Sequence, residues 1–257
     1  MLLQNIYRKM PLCIKNLWRK SSMKYAKWGK QYYFLLGKNI AGEDSIFYDE
    51  GILAQYKNKE KYFSQFGQDV FLDKIIFDGK KDGFFIDIGA NHPSVLSNTL
   101  FFERLGWKGI AFEPQEKLCS LWKERKTVCY NIALGDTEGE IEFAEYEGDS
   151  EKHTLSGVAS RLGKFASKKY MVKQRRLGDV LQELKIKEVD FISIDVEGYE
   201  MNVLKGIDFE AVTISCFVIE NNKNERGTID LEIREFMQQK GYRFAGRLVI
   251  DDVFVKR

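Results

Sequence analysis

The feature that most constrains the fold is a series of short apolar runs, three of which end at an acidic residue. Helix-like segments separate these runs, so strand and helix patterns alternate along most of the chain. This alternation favours a mainly parallel sheet covered by helices on both faces. The predicted strands are Phe84 to Ile88, Gly109 to Glu113, Val128 to Ala133, Val189 to Asp195 and Val212 to Glu220, then a closing antiparallel hairpin of Tyr242 to Ala245 and Val249 to Val255.

The ends of the first three strands carry residues suited to a nucleoside-like ligand, because open α/β sheets bind ligands beyond the carboxyl ends of their strands. Asp87, Gly89 and Asn91 end the first strand. The later glycines of a dinucleotide fingerprint are missing there. Glu113 ends the second strand, and a carboxylate can accept hydrogen bonds from ribose hydroxyls. The third strand leads into Ala133 to Asp136, where backbone groups and the Asp136 carboxylate could bracket an adenine.

Acidic residues also crowd the ends of the fourth and fifth strands. Asp195, Glu197 and Glu200 lie within six residues, beside Gly198, and Glu220 ends the next strand. Carboxylates placed this close together are costly without a ligand or a partner. We therefore predict that these acids face one cleft.

Six segments of the sequence resemble those of the FkbM-type methyltransferases, in the same order and with similar spacing. They are SQFGQDVFL (from Ser64), GFFIDIGANHPSVLSNT, GWKGIAFEP, NIALGD, VDFISIDVEGYEMNVLKG and FVIE. The resemblance covers about Ser64 to Phe254 and says nothing about residues 1–60. It implies a class I methyltransferase (Rossmann-like) three-layer α/β sandwich with strand order 3-2-1-4-5-7-6, and S-adenosylmethionine as methyl donor.

The resemblance also implies roles for individual residues. Asp87, Gly89 and Asn91 would line the methionine end of the donor, Glu113 would hold the ribose, and Ala133 and Asp136 would lie near the adenine. Asp195 and Glu197 would face the transfer site. The catalytic candidates are therefore Asp195, Glu197 and His92, the last of which stands at a variable position of the loop.

Methyl transfer to a hydroxyl needs a positioned acceptor and a base, or a metal that acidifies the hydroxyl. Asp195 is the predicted base, with Glu197 and Glu220 orienting it or helping to hold Mg²⁺ or Mn²⁺. His92 is the alternative base, although it could instead only form hydrogen bonds within its loop. Residues 145–172 are polar and irregular, which predicts an inserted loop or lid that carries His153.

Charge is distributed unevenly along the chain. Residues 1–42 contain nine Lys or Arg and no acid, which leaves 31 basic and 38 acidic residues, a net charge of −7, for the remainder. An acidic body argues against a nucleic-acid partner. The first forty residues, with an apolar stripe from Leu3 to Trp18, predict a basic, aromatic-rich helical extension that packs on its own domain, on a dimer partner or on an anionic membrane surface, or else remains a flexible tail.

We therefore predict an extension and connector over 1–60 and a methyltransferase domain over 61–257. Scattered cysteines and the lack of a signal or membrane-spanning pattern indicate a cytoplasmic protein, with peripheral membrane contact as an alternative. The resemblance implies O-methylation of a sugar hydroxyl in a bacterial surface glycan or secondary metabolite. The alternatives are N-methylation of a small amine and a non-catalytic scaffold in a glycan-biosynthesis complex.

Overall fold

A computed structural model describes residues 24–28, 31–38, 44–48, 62–145, 157–158, 168–222 and 229–257. The strands are β1 Lys24–Trp28, β2 Gln31–Lys38, β3 Asp44–Tyr48, β4 Phe84–Ile88, β5 Lys108–Phe112, β6 Val128–Tyr130, β7 Ala133–Leu134, β8 Gly139–Glu145, β9 Gly157–Val158, β10 Lys168–Arg175, β11 Glu188–Ile194, β12 Thr213–Glu220, β13 Tyr242–Leu248 and β14 Asp251–Lys256. The helices are α1 Gln68–Phe71 with a π-helical continuation Leu72–Ile76, α2 Leu100–Arg104, α3 Glu116–Leu121 with a 3-10 turn Trp122–Glu124, α4 Leu177–Glu183, α5 Glu200–Lys205 and α6 Leu231–Gln239.

The main sheet has seven strands in the order β13-β14-β12-β11-β4-β5-β6. Its neighbouring strands β6, β5, β4, β11 and β12 pair in parallel, and β14 pairs antiparallel with both β12 and β13. If the seven strands of this sheet alone are numbered 1 to 7 in chain order, β4 is strand 1 and β14 is strand 7. Read across the sheet from the β6 edge, their order is then 3-2-1-4-5-7-6. This is the order that the family resemblance implied.

Consecutive residues of the central strands enter two different buried clusters. Ile86, Ile192 and Phe217 belong to a cluster that α4, α5 and α6 complete. Phe85, Phe191 and Val218 belong to a second cluster, which α1, its π-helical continuation and α2 complete. Because side chains of a strand alternate between the two faces of a sheet, the clusters lie on opposite faces. The strands are therefore apolar on both faces, as the continuous apolar runs of the sequence predicted.

A second sheet, with strand order β7-β10-β8-β9, corrects two of our predictions. The predicted third strand is divided, because β6 ends at Tyr130 and β7 pairs with β10 instead. The predicted lid over 145–172 is wrong where strands β9 and β10 lie. Residues 146–156, including His153, and 159–167 fall outside the described residues.

The alternating burial of β10 explains why its sequence looked like a loop. Val172 and Gln174 are buried, whereas the lysines between and before them are exposed. Val172 packs with Phe143 and Ala133 in a small apolar cluster. A strand with one solvent-exposed face has a polar residue at every second position. In a segment with this many charges, the alternation of apolar and polar residues is easily missed.

The predicted N-terminal helix is wrong for residues 24–28 and 31–38, which form strands. With β3, in the predicted connector, they make a three-stranded antiparallel sheet in the order β1-β2-β3. The aromatic run Tyr32 to Phe34 suits a strand better than a helix, because bulky side chains fit a pleated surface. The stripe from Leu3 to Trp18 lies outside the described residues. The boundary at residue 60 stays a prediction.

Helices long and apolar enough to cross a membrane are absent from the portion of the chain that the structure describes.

Candidate functional site

Gly89 follows β4 at a point where two chain segments approach closely. Its φ of 74° lies in the left-handed region. A Cβ on Gly89 would lie 1.7 Å from the carbonyl oxygen of Asp195. The Asp195 amide donates to the carbonyl of Ile88 at 3.0 Å, which fixes that approach. Glycine is therefore required here for chain packing as well as for the close approach to a ligand that the sequence suggested.

Asp87 lies buried at the end of β4 and accepts a hydrogen bond of 2.6 Å from the Thr99 hydroxyl. Burial raises the pKa of Asp87 to about 6, and the Thr99 hydrogen bond and the positive charge of Arg125 oppose the rise. The carboxyl group faces the same side of the sheet as Phe85, two residues earlier. Asp87 therefore lies beneath the loop that carries Gly89 and Asn91.

Glu113 joins the ends of β4 and β5. One carboxylate oxygen accepts from the Asn91 amide and the other from the Gln115 amide, both at 2.8 Å. The residue is 3% exposed, and burial raises the pKa of its carboxyl to about 7. Each carboxylate oxygen has a second lone pair, so the group can accept further hydrogen bonds from a diol. This geometry suits the predicted ribose-binding role.

The loop after β6 carries the predicted adenine-binding residues. The Asn131 side chain donates to the carbonyls of Glu113 and Pro114, each at 2.9 Å, which ties this loop to the end of β5. Ala133 is buried in β7, and Asp136 accepts from the Asn202 side chain at 3.2 Å. The structure thus places Ala133 at the start of β7 and Asp136 two residues after β7, in a segment that Asn131 ties to the end of β5.

Strand register brings three acids into one row across β11, β12 and β14. Ile194 pairs with Ile219, so Asp195 stands beside Glu220, and Glu220 pairs with Asp251. Val218 and Val253 pack in the cluster on the α1 side. Glu220 and Asp251 each lie two residues away from one of these valines, so their side chains point to the same face of the sheet. The row therefore lies on the same face as Asp87. Sequence reasoning missed Asp251, because only the antiparallel return of β14 places it here.

Asp195 and Glu220 form a hydrogen-bonded pair of carboxyl groups. Two carboxyl groups can bond in this way only if they share a proton. Desolvation and the neighbouring acids raise the pKa of Glu220 to about 10, so the pair of carboxyl groups shares one proton at neutral pH. Desolvation raises the pKa of Asp195 and the bond from Glu220 opposes the rise. Part of Asp195 remains exposed to solvent, which weakens both effects.

Glu197 and Glu200 have different surroundings. Glu200 is buried, and its side chain accepts from the amides of Val196 and Gly198 at 3.2 and 2.9 Å, so it holds the turn after β11. Glu197 has a left-handed φ of 55°, and desolvation and the charge of Asp195 raise its pKa to about 8. Glu200 is thus a structural acid, whereas Glu197 remains a candidate for the transfer site.

The predicted divalent cation site is not assembled. Within the described ranges, no three His, Cys, Asp or Glu side chains form an arrangement that could hold a metal ion. Asp195, Glu197 and Glu220 are therefore not gathered into a set of ligands in this structure.

His92 closes a turn of the loop after β4. Its Nδ1 accepts from the amides of Ser94 and Val95, both at 3.2 Å. In the neutral ring the other nitrogen then carries the hydrogen, which leaves no free lone pair to take a proton. The arrangement favours the loop-stabilising alternative, and a catalytic role for His92 stays a prediction.

A groove of about 450 Å³ lies between α3 and the β6 edge, where Cys119, Lys123 and Val128 help to line it. Its lining, as far as the structure describes it, contains none of the predicted site residues. We place the site at the strand ends because the hydrogen-bonded acids are there.

A family model described as the methyltransferase FkbM domain matches residues 87–244, more than half of the chain. No curated protein matches the chain. Among solved structures, the chain is similar to methyltransferase FkbM from Methylobacillus flagellatus KT, with 12% identity and a TM-score of 0.43 over 68% of this chain. The chain spans 44% of the length of that protein, and so low a similarity carries no argument about individual residues.

Proposed function

Because the chain belongs to the FkbM methyltransferase family, we propose that it is an S-adenosylmethionine-dependent O-methyltransferase with the class I, Rossmann-like layout. The observation that carries the proposal is the bridge that Glu113 makes between the ends of β4 and β5 through the Asn91 and Gln115 amides. In this proposal the ribose would lie against this buried carboxylate, which has lone pairs that can accept from the ribose hydroxyls, beside a glycine turn that lets a ligand approach.

The residues at this edge of the sheet fit such a donor. Glu113 would hold the ribose hydroxyls, Asn91 and Gly89 would line the methionine end, and Asp136 would accept from the adenine amino group. Asp87 would supply negative charge toward the cationic end of the donor. S-adenosylmethionine supplies a methyl group already activated on a sulfonium, so the protein must mainly hold the acceptor in line.

Asp195 is the proposed base. We assign the proton that the pair shares to Glu220, so that Asp195 can act as the anion and accept the proton of an acceptor hydroxyl. As the new oxygen–methyl bond forms and the sulfur–methyl bond breaks, the hydroxyl proton passes to Asp195. Glu197, on the turn that follows Asp195, would help to orient the acceptor.

The proposed acceptor is a sugar hydroxyl of a bacterial surface glycan or secondary metabolite. A cluster of carboxyl groups can accept hydrogen bonds from several hydroxyls of a sugar, and it disfavours a phosphate-rich acceptor. A small amine is the second candidate, because among the described residues Asp195, Glu197 and Glu220 have no ion pair with Lys or Arg. An amine would reach this site as a cation and would also have to lose a proton before attack.

Two experiments test the proposal. Calorimetry with S-adenosylmethionine tests the donor, and absence of binding by the full chain would favour the scaffold alternative. Incubation with labelled donor and a panel of nucleotide sugars, glycan extracts and small amines, followed by mapping of the labelled atom, tests the acceptor. Label on nitrogen alone would replace the O-methyltransferase proposal with the amine alternative.

Peripheral membrane contact or dimerisation through residues 1–42 and a cytoplasmic location are also proposals. The basic stretch with no acids is what supports membrane contact. Flotation of the full chain with anionic vesicles, compared with a variant in which Arg8, Lys9, Arg19 and Lys20 become Gln, tests it. Equal flotation of both proteins would exclude an electrostatic contact through these residues.

A further inference from the structure

Arg125 is a buried cation outside the set of residues that the sequence singled out. It follows the 3-10 turn Trp122–Glu124, and its side chain is only 4% exposed. The guanidinium lies 4.4 Å from the centre of the Trp122 ring. A buried charge is costly unless it is paired and hydrogen-bonded, so its partners indicate what it does.

Arg125 donates hydrogen bonds to the loop that joins β4 to α2. One terminal nitrogen donates to the carbonyl of Pro93 at 3.1 Å, and to the hydroxyls of Ser97 and Thr99 at 3.3 and 3.2 Å. Trp122 donates from its ring nitrogen to the carbonyl of Asn91 at 2.9 Å. Two neighbouring side chains therefore hold the same loop from one side, at both of its halves.

The charge of Arg125 is balanced on two sides. Its Nε lies 3.3 Å from a carboxylate oxygen of Glu103, which itself accepts from the Thr127 amide at 2.8 Å. On the other side, the Thr99 hydroxyl accepts from Arg125 and donates to Asp87. A hydroxyl can do both at once, so Thr99 links the guanidinium to the Asp87 carboxylate.

We infer that Arg125 is a positioning residue for the donor site, which fixes the Gly89–Thr99 loop and keeps Asp87 oriented through Thr99. The inference rests on the proposed donor. Arg125 acts through Asp87 and the loop, which are the groups that would contact the methionine end. Removal of the guanidinium frees the loop and leaves Asp87 without its nearby positive charge.

The test compares binding of S-adenosylmethionine by calorimetry across matched variants. Arg125→Met is expected to raise the donor Kd about tenfold or more, since hydrogen bonds to charged groups are worth about 1.5–3 kcal/mol. Arg125→Lys keeps the charge and is expected to recover part of the loss. Arg234→Met is the control, because Arg234 is a largely buried guanidinium paired with Asp252 outside this loop. It is expected to lower the unfolding temperature without changing the donor Kd.

Thr99 provides a second, gentler pair of variants in case Arg125→Met does not fold. Thr99→Val removes the hydroxyl at nearly constant volume, and Thr99→Ser retains it. We expect Thr99→Val to weaken donor binding and Thr99→Ser to leave it within about twofold. The Arg125→Lys and Thr99→Val effects should be non-additive if both act through one link.

Each outcome decides between separate ideas. If the unmodified chain does not bind the donor, the proposed function fails. If that chain binds and Arg125→Met or Thr99→Val binds equally well, the positioning role is overturned while the proposed function stands. The positioning role is also overturned if Arg234→Met weakens binding as much as Arg125→Met, because the loss then reflects general destabilisation.

Discussion

Replacement of Gly89 by Ala tests whether the β4 and β11 ends must touch for the site to form. The new Cβ would lie 1.7 Å from the Asp195 carbonyl oxygen, about half the distance of an ordinary contact. The chain must therefore separate at this point. That movement strains the hydrogen bond between the Asp195 amide and the Ile88 carbonyl.

The expected loss of stability has three parts. A side chain at positive φ costs about 1–2 kcal/mol, forced overpacking costs about 1–3 kcal/mol, and a weakened backbone hydrogen bond costs about 1 kcal/mol. The free energy of unfolding should fall by about 3 kcal/mol or more. For a chain of this size, this corresponds to a decrease of about 6 °C or more in Tm.

Gly79 offers a closely matched control. Its φ of 75° nearly equals that of Gly89, yet a Cβ there would meet nothing within 4 Å. Gly79→Ala should therefore cost only the backbone term, about 1 kcal/mol, and leave donor binding unchanged. Thermal unfolding and calorimetry with S-adenosylmethionine measure both effects. If the two variants lose the same stability and Gly89→Ala still binds the donor normally, the close approach at Gly89 does not support the site.

Three further predictions concern the acids at this edge of the sheet. Asp195→Asn should lower kcat about 100-fold or more while the donor Kd changes little, and near-normal turnover in a methyl-transfer assay would remove Asp195 as the base. Burial raises the pKa of Glu113, Glu200 and Asp251 to about 7, so the folded chain binds more protons than the unfolded chain from about pH 4.5 to 7. Stability should therefore fall as the pH rises through this window, and a Tm that rises instead would contradict the assigned burial. Gln68 donates to Asp251 at 2.7 Å. Gln68→Glu replaces this donor by another acid, so it should destabilise the fold more at about pH 8, where both carboxyl groups are ionised, than at about pH 6. An equal loss of Tm at both pH values would refute the contact.

Local pattern was sufficient for the main architecture. Continuous apolar runs that alternate with helical segments identify strands buried on both faces, and each run ends where a polar or acidic residue begins. The strands β4, β5, β11 and β12 follow these predictions to within about two residues. Glu113 and Asp195 could be selected because carboxyl ends of parallel strands lie at one edge whatever the details of packing.

The same local patterns do not predict the strands in charged or weakly periodic segments. β10 carries lysines on its exposed face, so its apolar residues were too few to reveal a strand. The apolar stripe from Leu3 to Trp18 favours a helix, but this helical pattern does not continue into residues 24–38, where β1 and β2 form. In both places the pairing partner, and not the local sequence, decides the conformation.

The sequence by itself determined which residue types stand at the strand ends, and hence that an acidic, glycine-containing edge would form. Only the tertiary structure decided how these residues are paired. Asp251 joins Asp195 and Glu220 through the antiparallel return of β14, Glu200 holds a turn, and Arg125 reaches the Gly89–Thr99 loop across more than 25 residues. Such pairings depend on strand register and on packing between distant segments, and neither leaves a local periodicity that a sequence can display.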